Sequence, residues 1–200
     1  MVDIHWIIDM FIVNICGYFV LAGFFLIEHF VRKGKETKNM IRTKYDKNST
    51  TIISIVMGMA FLLLFFSPLL NYMKMGLCFN LCLSICGITI GILGLIIRYF
   101  AFTTLGRFFT RTLREVDKHI LVESGIYNFI RHPGYLSDLM IFTGVSFGMG
   151  NLFPMICIPV MFIPVYAYRI HKEEEMLIEI LGEKYITYKR RTKYLIPYLL

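Results

Sequence analysis

The residues best equipped for chemistry form two groups, Arg131-His132-Pro133-Gly134-Tyr135 and Arg169-Ile170-His171-Lys172-Glu173-Glu174. Proline disfavours helix in the residue before it and suits the first turn of a helix that follows, so a helix is expected to start at Pro133. The unpaired N–H groups near Gly134, Tyr135 and Leu136, with the positive end of the helix dipole, could hold a small anion such as a carboxylate, with His132 at the rim. Arg169 and Glu173 are four apart and share one helix face. The arginine offers a planar fork for a carboxylate, and the glutamate can accept hydrogen bonds from an ammonium or a ribose. Such opposite charges suit a zwitterionic cofactor beside an acidic substrate. Plainer readings are an interfacial cap, with Tyr127 and Tyr135 in an aromatic belt and Arg131 snorkelling to headgroups, and an exposed Arg169–Glu173 pair worth a few tenths of a kcal/mol.

The elements that must position these groups are membrane helices. At 56% hydrophobic and 16% aromatic residues, the chain exceeds what a soluble domain carries. Residues 6–31, 52–72 and 77–103 each match the roughly 20 apolar residues needed to cross a bilayer. The apolar block 135–168 is broken by Gly148-Met149-Gly150-Asn151 and reads as a tight helical hairpin. The expectation is an all-α integral membrane protein with five transmembrane helices, the last two forming that hairpin. Lys and Arg are concentrated in 32–51, 104–134 and the tail after Tyr168. By the positive-inside rule these face the cytoplasm, leaving the N-terminus outside and the active site and C-terminus cytoplasmic. The first helix has no basic n-region and is too long for a signal-peptide core, so it is expected to be retained. Beyond the acidic triplet, Met176, Leu177, Ile180, Leu181, Tyr185 and Tyr188 recur at helical spacing, which predicts a C-terminal amphipathic helix along the membrane surface. Function divides the chain into a three-helix membrane region, 1–103, and a cofactor-binding catalytic region, 104–200.

A net charge of +7 arises from basic residues that flank spans, so the lipid bilayer is the expected partner and nucleic acid is not. Cys78, Cys82 and Cys86 fall on one helical face and predict a small-residue packing seam. The five histidines supply no i,i+4 pair, so no metal is expected. Pro154, Pro159 and Pro164 each remove a helical hydrogen bond and could bend their helix around a lipid-sized groove. No repeat suggests an inverted-repeat transporter.

Together the motifs G-x-Y-x-x-x-R-H-P-x-Y (Gly125, Tyr127, Arg131, His132, Pro133, Tyr135), R-x-x-x-E-E (Arg169, Glu173, Glu174) and G-E-x-Y-x-x-Y (Gly182, Glu183, Tyr185, Tyr188) resemble the isoprenylcysteine carboxyl methyltransferase family over roughly residues 105–197. The resemblance implies an all-helical membrane enzyme using S-adenosylmethionine. It implies cofactor contacts at His119, Ile120, Leu121, Val122, Tyr127, His132, Pro133, Gly134, Tyr135 and Glu173. Arg169 would be the catalytic residue, meeting the carboxylate of a lipophilic acceptor, prenylcysteine-like or other. A phospholipid or lipid amine N-methyltransferase is the first rival, and an arginine at the acceptor position weighs against it. A sterol-reductase-like enzyme would need a site for a phosphate-rich ligand, which is not evident. A non-enzymatic scaffold or transporter is disfavoured by a lack of strongly polar residues deep in the first three spans.

Overall fold

The computed structural model describes residues 4–31, 48–106 and 121–195. In chain order they form α1 (Ile4–Leu26), continued by a π-helical turn (Ile27–Val31), α2 (Ser49–Tyr72), α3 (Leu81–Leu105), a 3-10 turn (Gly125–Asn128), α4 (Pro133–Gly148), α5 (Leu152–Leu181) and α6 (Glu183–Arg191). The expected all-α membrane architecture is present: α1 with its π-helical turn, α2, α3 and α5 are each long and apolar enough to span a bilayer. α4, at 16 residues, reaches only about 24 Å and falls short of the usual span. Its start at Pro133, with proline in the first turn, is the one the sequence predicts.

The large apolar side chains turned outward on α1, α2 and α3, among them Phe19, Ile55, Leu62, Phe65 and Leu93, would meet hydrocarbon. Inside, Phe24, Phe61, Phe142, Phe162 and Tyr166 form a run of edge-on aromatic contacts from α1 and α2 across α4 to α5. Such pairs add about 0.5–1.5 kcal/mol each beyond their buried area.

The close helix seam is built from glycine, and the cysteine seam expected from spacing is overturned. Cys78, Cys82 and Cys86 are exposed, while Gly87, Gly91 and Gly94 of α3 face α4. A Cβ on Gly87 would stand 2.6 Å from the Gly144 carbonyl oxygen, and one on Gly144 would stand 2.6 Å from the Gly91 nitrogen. Only a bare backbone permits that approach, and in lipid close van der Waals packing is what holds helices together.

Two further expectations change. α5 does not end at Tyr168: it is a 30-residue helix that runs on to Leu181, carrying Arg169, Glu173 and Glu174 on one rigid rod, until Gly182 at φ 56 breaks it. The amphipathic stretch is therefore divided, with Met176–Leu181 on α5 and a nine-residue α6 whose Tyr185 and Tyr188 are buried against protein. Pro154 lies in the first turn of α5, where its missing N–H has no intrahelical partner to lose. Pro159 and Pro164 lie inside the helix, which runs on through both.

At one end of the bundle the turn before α3 meets the turn before α5. Cys78 N donates to Gly150 O at 3.0 Å and Leu152 N to Gly76 O at 2.7 Å. Buried Asn151 donates to Asn71 Oδ1 at 2.7 Å, and Asn71 donates to Met149 O at 2.8 Å. At the other end, Arg131 N donates to Lys193 O and Lys193 N to Phe129 O, docking the tail beside the segment that precedes α4.

Candidate functional site

Three segments deliver the sequence-predicted residues to one end of the bundle. α4 starts at Pro133 and orients His132 and Tyr135; α5 brings Arg169, Glu173 and Glu174; the Gly125–Asn128 turn brings Tyr127. Tyr135 Oη donates to Glu173 Oε2 at 2.6 Å and accepts from Arg169 Nε at 3.2 Å. A phenol therefore stands between two charges that the sequence places on a single helix face. Arg169 is buried, and its Nη1 also donates to Ser49 Oγ at 2.6 Å and Thr50 Oγ1 at 3.2 Å. The exposed-pair reading of Arg169 and Glu173 does not describe this guanidinium, which is held in the interior by hydroxyls from another helix.

Glu174, next in sequence, organises a second cluster. Its Oε1 accepts from Arg131 Nε at 2.9 Å and lies 3.3 Å from His132 Nε2, and its Oε2 accepts from Lys189. Arg131 also donates to the carbonyls of Lys189 and Thr192. Arg131 is a buried anchor for the tail, not a snorkelling side chain. The His132 ring packs against Tyr135 and Tyr194 at centroid separations of 5.9 and 5.7 Å. The helix start, the acidic face of α5 and the tail are thereby tied into one unit.

Tyr127 lies to one side, in an apolar cluster with Ala101 and Phe102 of α3, against which Val122 and Ile126 pack. Burial drives its phenol well above its ordinary range, as it does for Tyr185. Tyr188 Oη donates to Tyr127 O at 2.7 Å, so α6 clamps the turn. Leu121 is half-buried beside Val122, and Gly134 O accepts from Ser137 Oγ at 2.6 Å. His119 and Ile120 lie outside the described residues.

A third cluster was missed by sequence reasoning. Arg98 of α3 is buried and paired with Glu28 of the π-helical turn and Asp138 of α4. Asp138 also accepts from Tyr166 Oη at 3.0 Å, and the Tyr166 ring packs on Tyr135 at 5.3 Å. The guanidinium stacks over Phe24 and Phe102. The expectation of no strongly polar residues deep in the first three spans did not extend to their ends, where Glu28 and Arg98 lie, yet the signal was present: both interrupt apolar runs, and a charge inside a span demands a partner.

A polar ligand fits the main site. Tyr185 Oη is buried with no hydrogen-bond partner among the described residues, in the field of Glu173 and Glu174. Beside it the Glu173 carboxylate offers an acceptor and the α4 start offers the N–H groups of Gly134 and Tyr135, while Val122 adds apolar surface to the Tyr127 cluster to one side.

Comparison with known proteins returns the same relationship. The sequence model of the isoprenylcysteine carboxyl methyltransferase (ICMT) family matches residues 87–179. The chain is 34% identical over 115 residues to protein-S-isoprenylcysteine O-methyltransferase B of Arabidopsis thaliana, covering 56% of this chain and 58% of that one. It is 31% identical over 138 residues to the Saccharomyces cerevisiae protein-S-isoprenylcysteine O-methyltransferase, covering 68% and 57%. The fold matches the eukaryotic intramembrane Ras methyltransferase ICMT with a TM-score of 0.52 at 25% identity, over 80% of this chain and 55% of that one. This chain thus spans a little under three-fifths of the length of these curated relatives. The resemblance carried by the motifs is found in sequence over residues 87–179 and in fold over most of the chain.

Proposed function

We propose that this chain, similar in sequence and fold to the isoprenylcysteine carboxyl methyltransferases, is a membrane-embedded S-adenosylmethionine-dependent carboxyl O-methyltransferase. Its acceptor is a carboxylate on a lipid-like or prenylated molecule. The observation that carries this reading is the Arg169–Tyr135–Glu173 arrangement: a buried guanidinium and a carboxylate meet one phenol at the start of α4.

Bound S-adenosylmethionine supplies an electrophilic methyl group, and an acceptor carboxylate, already ionised at neutral pH, needs no general base to take it. The protein's task is then alignment and exclusion of water, which can lower a barrier by several kcal/mol. Arg169 orients the acceptor carboxylate. Glu173, His132 and the first N–H groups of α4, at Gly134 and Tyr135, hold the cofactor, with the Pro133 ring, which has no N–H to donate, packing beside it and Tyr127, Leu121 and Val122 along its apolar side; His119 and Ile120 complete the set from outside the described residues. Tyr135 touches both Arg169 and Glu173 and so keeps the two binding functions in register.

The topology that suits this chemistry counts α4 as a fifth crossing. α4 runs between the same two ends as α2: Asn71 at the foot of α2 bonds Met149 just past α4, while Ser49 at its head bonds Arg169 beside Tyr135. Local bilayer thinning or flanking residues accommodate so short a helix. Charge bias puts the Arg169 end in the cytoplasm and the N-terminus outside. Residues 1–103 then serve as membrane scaffold and 104–200 as the catalytic region.

The test is calorimetric titration of S-adenosylhomocysteine into the detergent-purified chain and its His132→Ala and Glu173→Ala variants, followed by methyl transfer to N-acetyl-S-farnesylcysteine. Saturable binding lost in both variants, with turnover of the carboxylate, is the expected result. Binding with transfer only to lipid amines would identify an N-methyltransferase, and no binding by folded protein would sink the reading.

A further inference from the structure

The C-terminal tail reaches the proposed cofactor site from beyond residues 87–179, the stretch of sequence that matches the family. α6 ends at Thr192, whose extended backbone sends the chain alongside the segment before α4, with a parallel bridge between Ile130 and Lys193. There Arg131 N donates to Lys193 O at 2.9 Å and Lys193 N to Phe129 O at 3.0 Å. The Arg131 side chain donates to the carbonyls of Lys189 and Thr192. The residue before His132 is thus pinned by the tail, and the residue after it is a proline of fixed φ. The His132 ring is itself buried, with Tyr135 tilted against it at 5.9 Å and Tyr194 of the tail edge-on to it at 5.7 Å. Its Nε2 lies 3.3 Å from Glu174 Oε1. A carboxylate only accepts, so the ring hydrogen is assigned to Nε2. Nδ1 has no hydrogen-bond partner among the described residues: His132 is the N-cap of α4 and makes no side-chain cap bond.

We infer that Tyr194 is a positioning residue for His132: its ring packs against the imidazole and keeps Nδ1 presented to a hydrogen-bond donor of the cofactor, a hydroxyl or an amine. This rests on the proposed cofactor site. A ring anchored at one nitrogen can still swing about that contact, and packing against two further sides removes the swing. Tyr135 supplies one side from α4 itself, and Tyr194 supplies the other from the far end of the chain. The Tyr194 hydroxyl has no hydrogen-bond partner among the described residues, so its aromatic ring is the part that acts. The backbone bonds at Lys193 hold that ring in place. The tail thereby becomes a fourth segment of the cofactor site without touching the cofactor.

The experiment uses the full chain in detergent micelles, with Tyr194→Ala and Tyr194→Phe variants. Calorimetry with S-adenosylhomocysteine should show affinity falling about three- to tenfold in Tyr194→Ala, the range of an edge-on ring contact. Tyr194→Phe, which keeps the ring, should stay within about twofold of the parent. Nitrogen-15 spectra of the histidine-labelled chain are then recorded without cofactor, at mildly alkaline pH where an ordinary histidine is neutral. The His132 signals are assigned by their loss in His132→Asn. The parent and Tyr194→Phe should show two well-separated ring nitrogens, and in Tyr194→Ala both should move toward their mean as the hydrogen is no longer confined to Nε2. Parental affinity in Tyr194→Ala overturns the inference and leaves the proposed function standing. Weaker binding with unaltered His132 nitrogens also overturns it, since Tyr194 then touches the cofactor itself or the loss is a general structural one. A folded parent chain that binds no S-adenosylhomocysteine overturns the proposed function, and this inference with it.

Discussion

The two ends of the bundle are closed by different chemistry. Where α2 and α4 end, Asn151 donates to Asn71 Oδ1 and to the Met75 carbonyl, and Asn71 donates to the Met149 carbonyl. The side chains that make this cluster are neutral amides, each amide meets a complementary partner, and the cluster serves as a clasp between two turns. At the opposite end, Arg131, His132, Lys189 and Glu174 are knotted together, and Arg169, Tyr135 and Glu173 lie beside them. Buried charges are costly to desolvate and seldom improve stability over apolar packing of the same volume. Amides alone suffice to hold a turn, so the charges are concentrated at the end where the proposed ligand site lies.

That contrast can be broken by substitution. The largest effect is expected from Glu174→Ala, which leaves Arg131 buried without its carboxylate; loss of one partner of a buried pair costs about 3–5 kcal/mol. Thermal unfolding in detergent should show a markedly lower Tm, and an unchanged Tm would mean that the tail is held in some other way. Arg169→Ala should reduce methyl transfer by about 10- to 100-fold, the value of a hydrogen bond to a charged group, while S-adenosylhomocysteine affinity measured by calorimetry stays within about threefold. A loss of cofactor affinity as large as the loss of turnover would merge roles that we keep apart. At the clasp, Asn151→Ala should cost about 1–3 kcal/mol of stability through partners left unsatisfied, with kcat of the folded fraction unchanged. A fall in kcat there would erase the distinction between the ends.

The smallest effect concerns Tyr188, whose phenol is pushed up to about 12 by burial, partly offset by Arg131 and Arg191. A folded-state value raised above the unfolded one means that its contribution is complete below pH 10, the ordinary tyrosine value, and is lost as pH rises through about 12. Tyr188→Phe should flatten that alkaline fall in unfolding experiments, and should cost about 1 kcal/mol at neutral pH through the lost bond to Tyr127 O.

Composition and periodicity sufficed for whatever depends on solvent and on local backbone preference. The apolar runs that became α1, α2, α3 and α5 had to be helices, because lipid leaves no other partner for backbone N–H and C=O groups. The start of α4 at Pro133 follows from the proline ring, and the pairing of R-H-P-x-Y with R-x-x-x-E-E was legible because residue types and spacing carried it. The seam was misplaced because Cys82 and Cys86 share α3 with glycines at similar spacing while Cys78 falls in the turn before it, and only the approach of α4 decides which face is inside. The Glu28–Arg98–Asp138 cluster, the hydroxyl grip of Ser49 and Thr50 on Arg169, and the phenol between Arg169 and Glu173 join residues far apart in the chain. Local sequence determines which residues can be helical and which can carry charge. Tertiary packing alone decided which buried charges meet, because a buried ion takes whatever partner the neighbouring helices bring within reach.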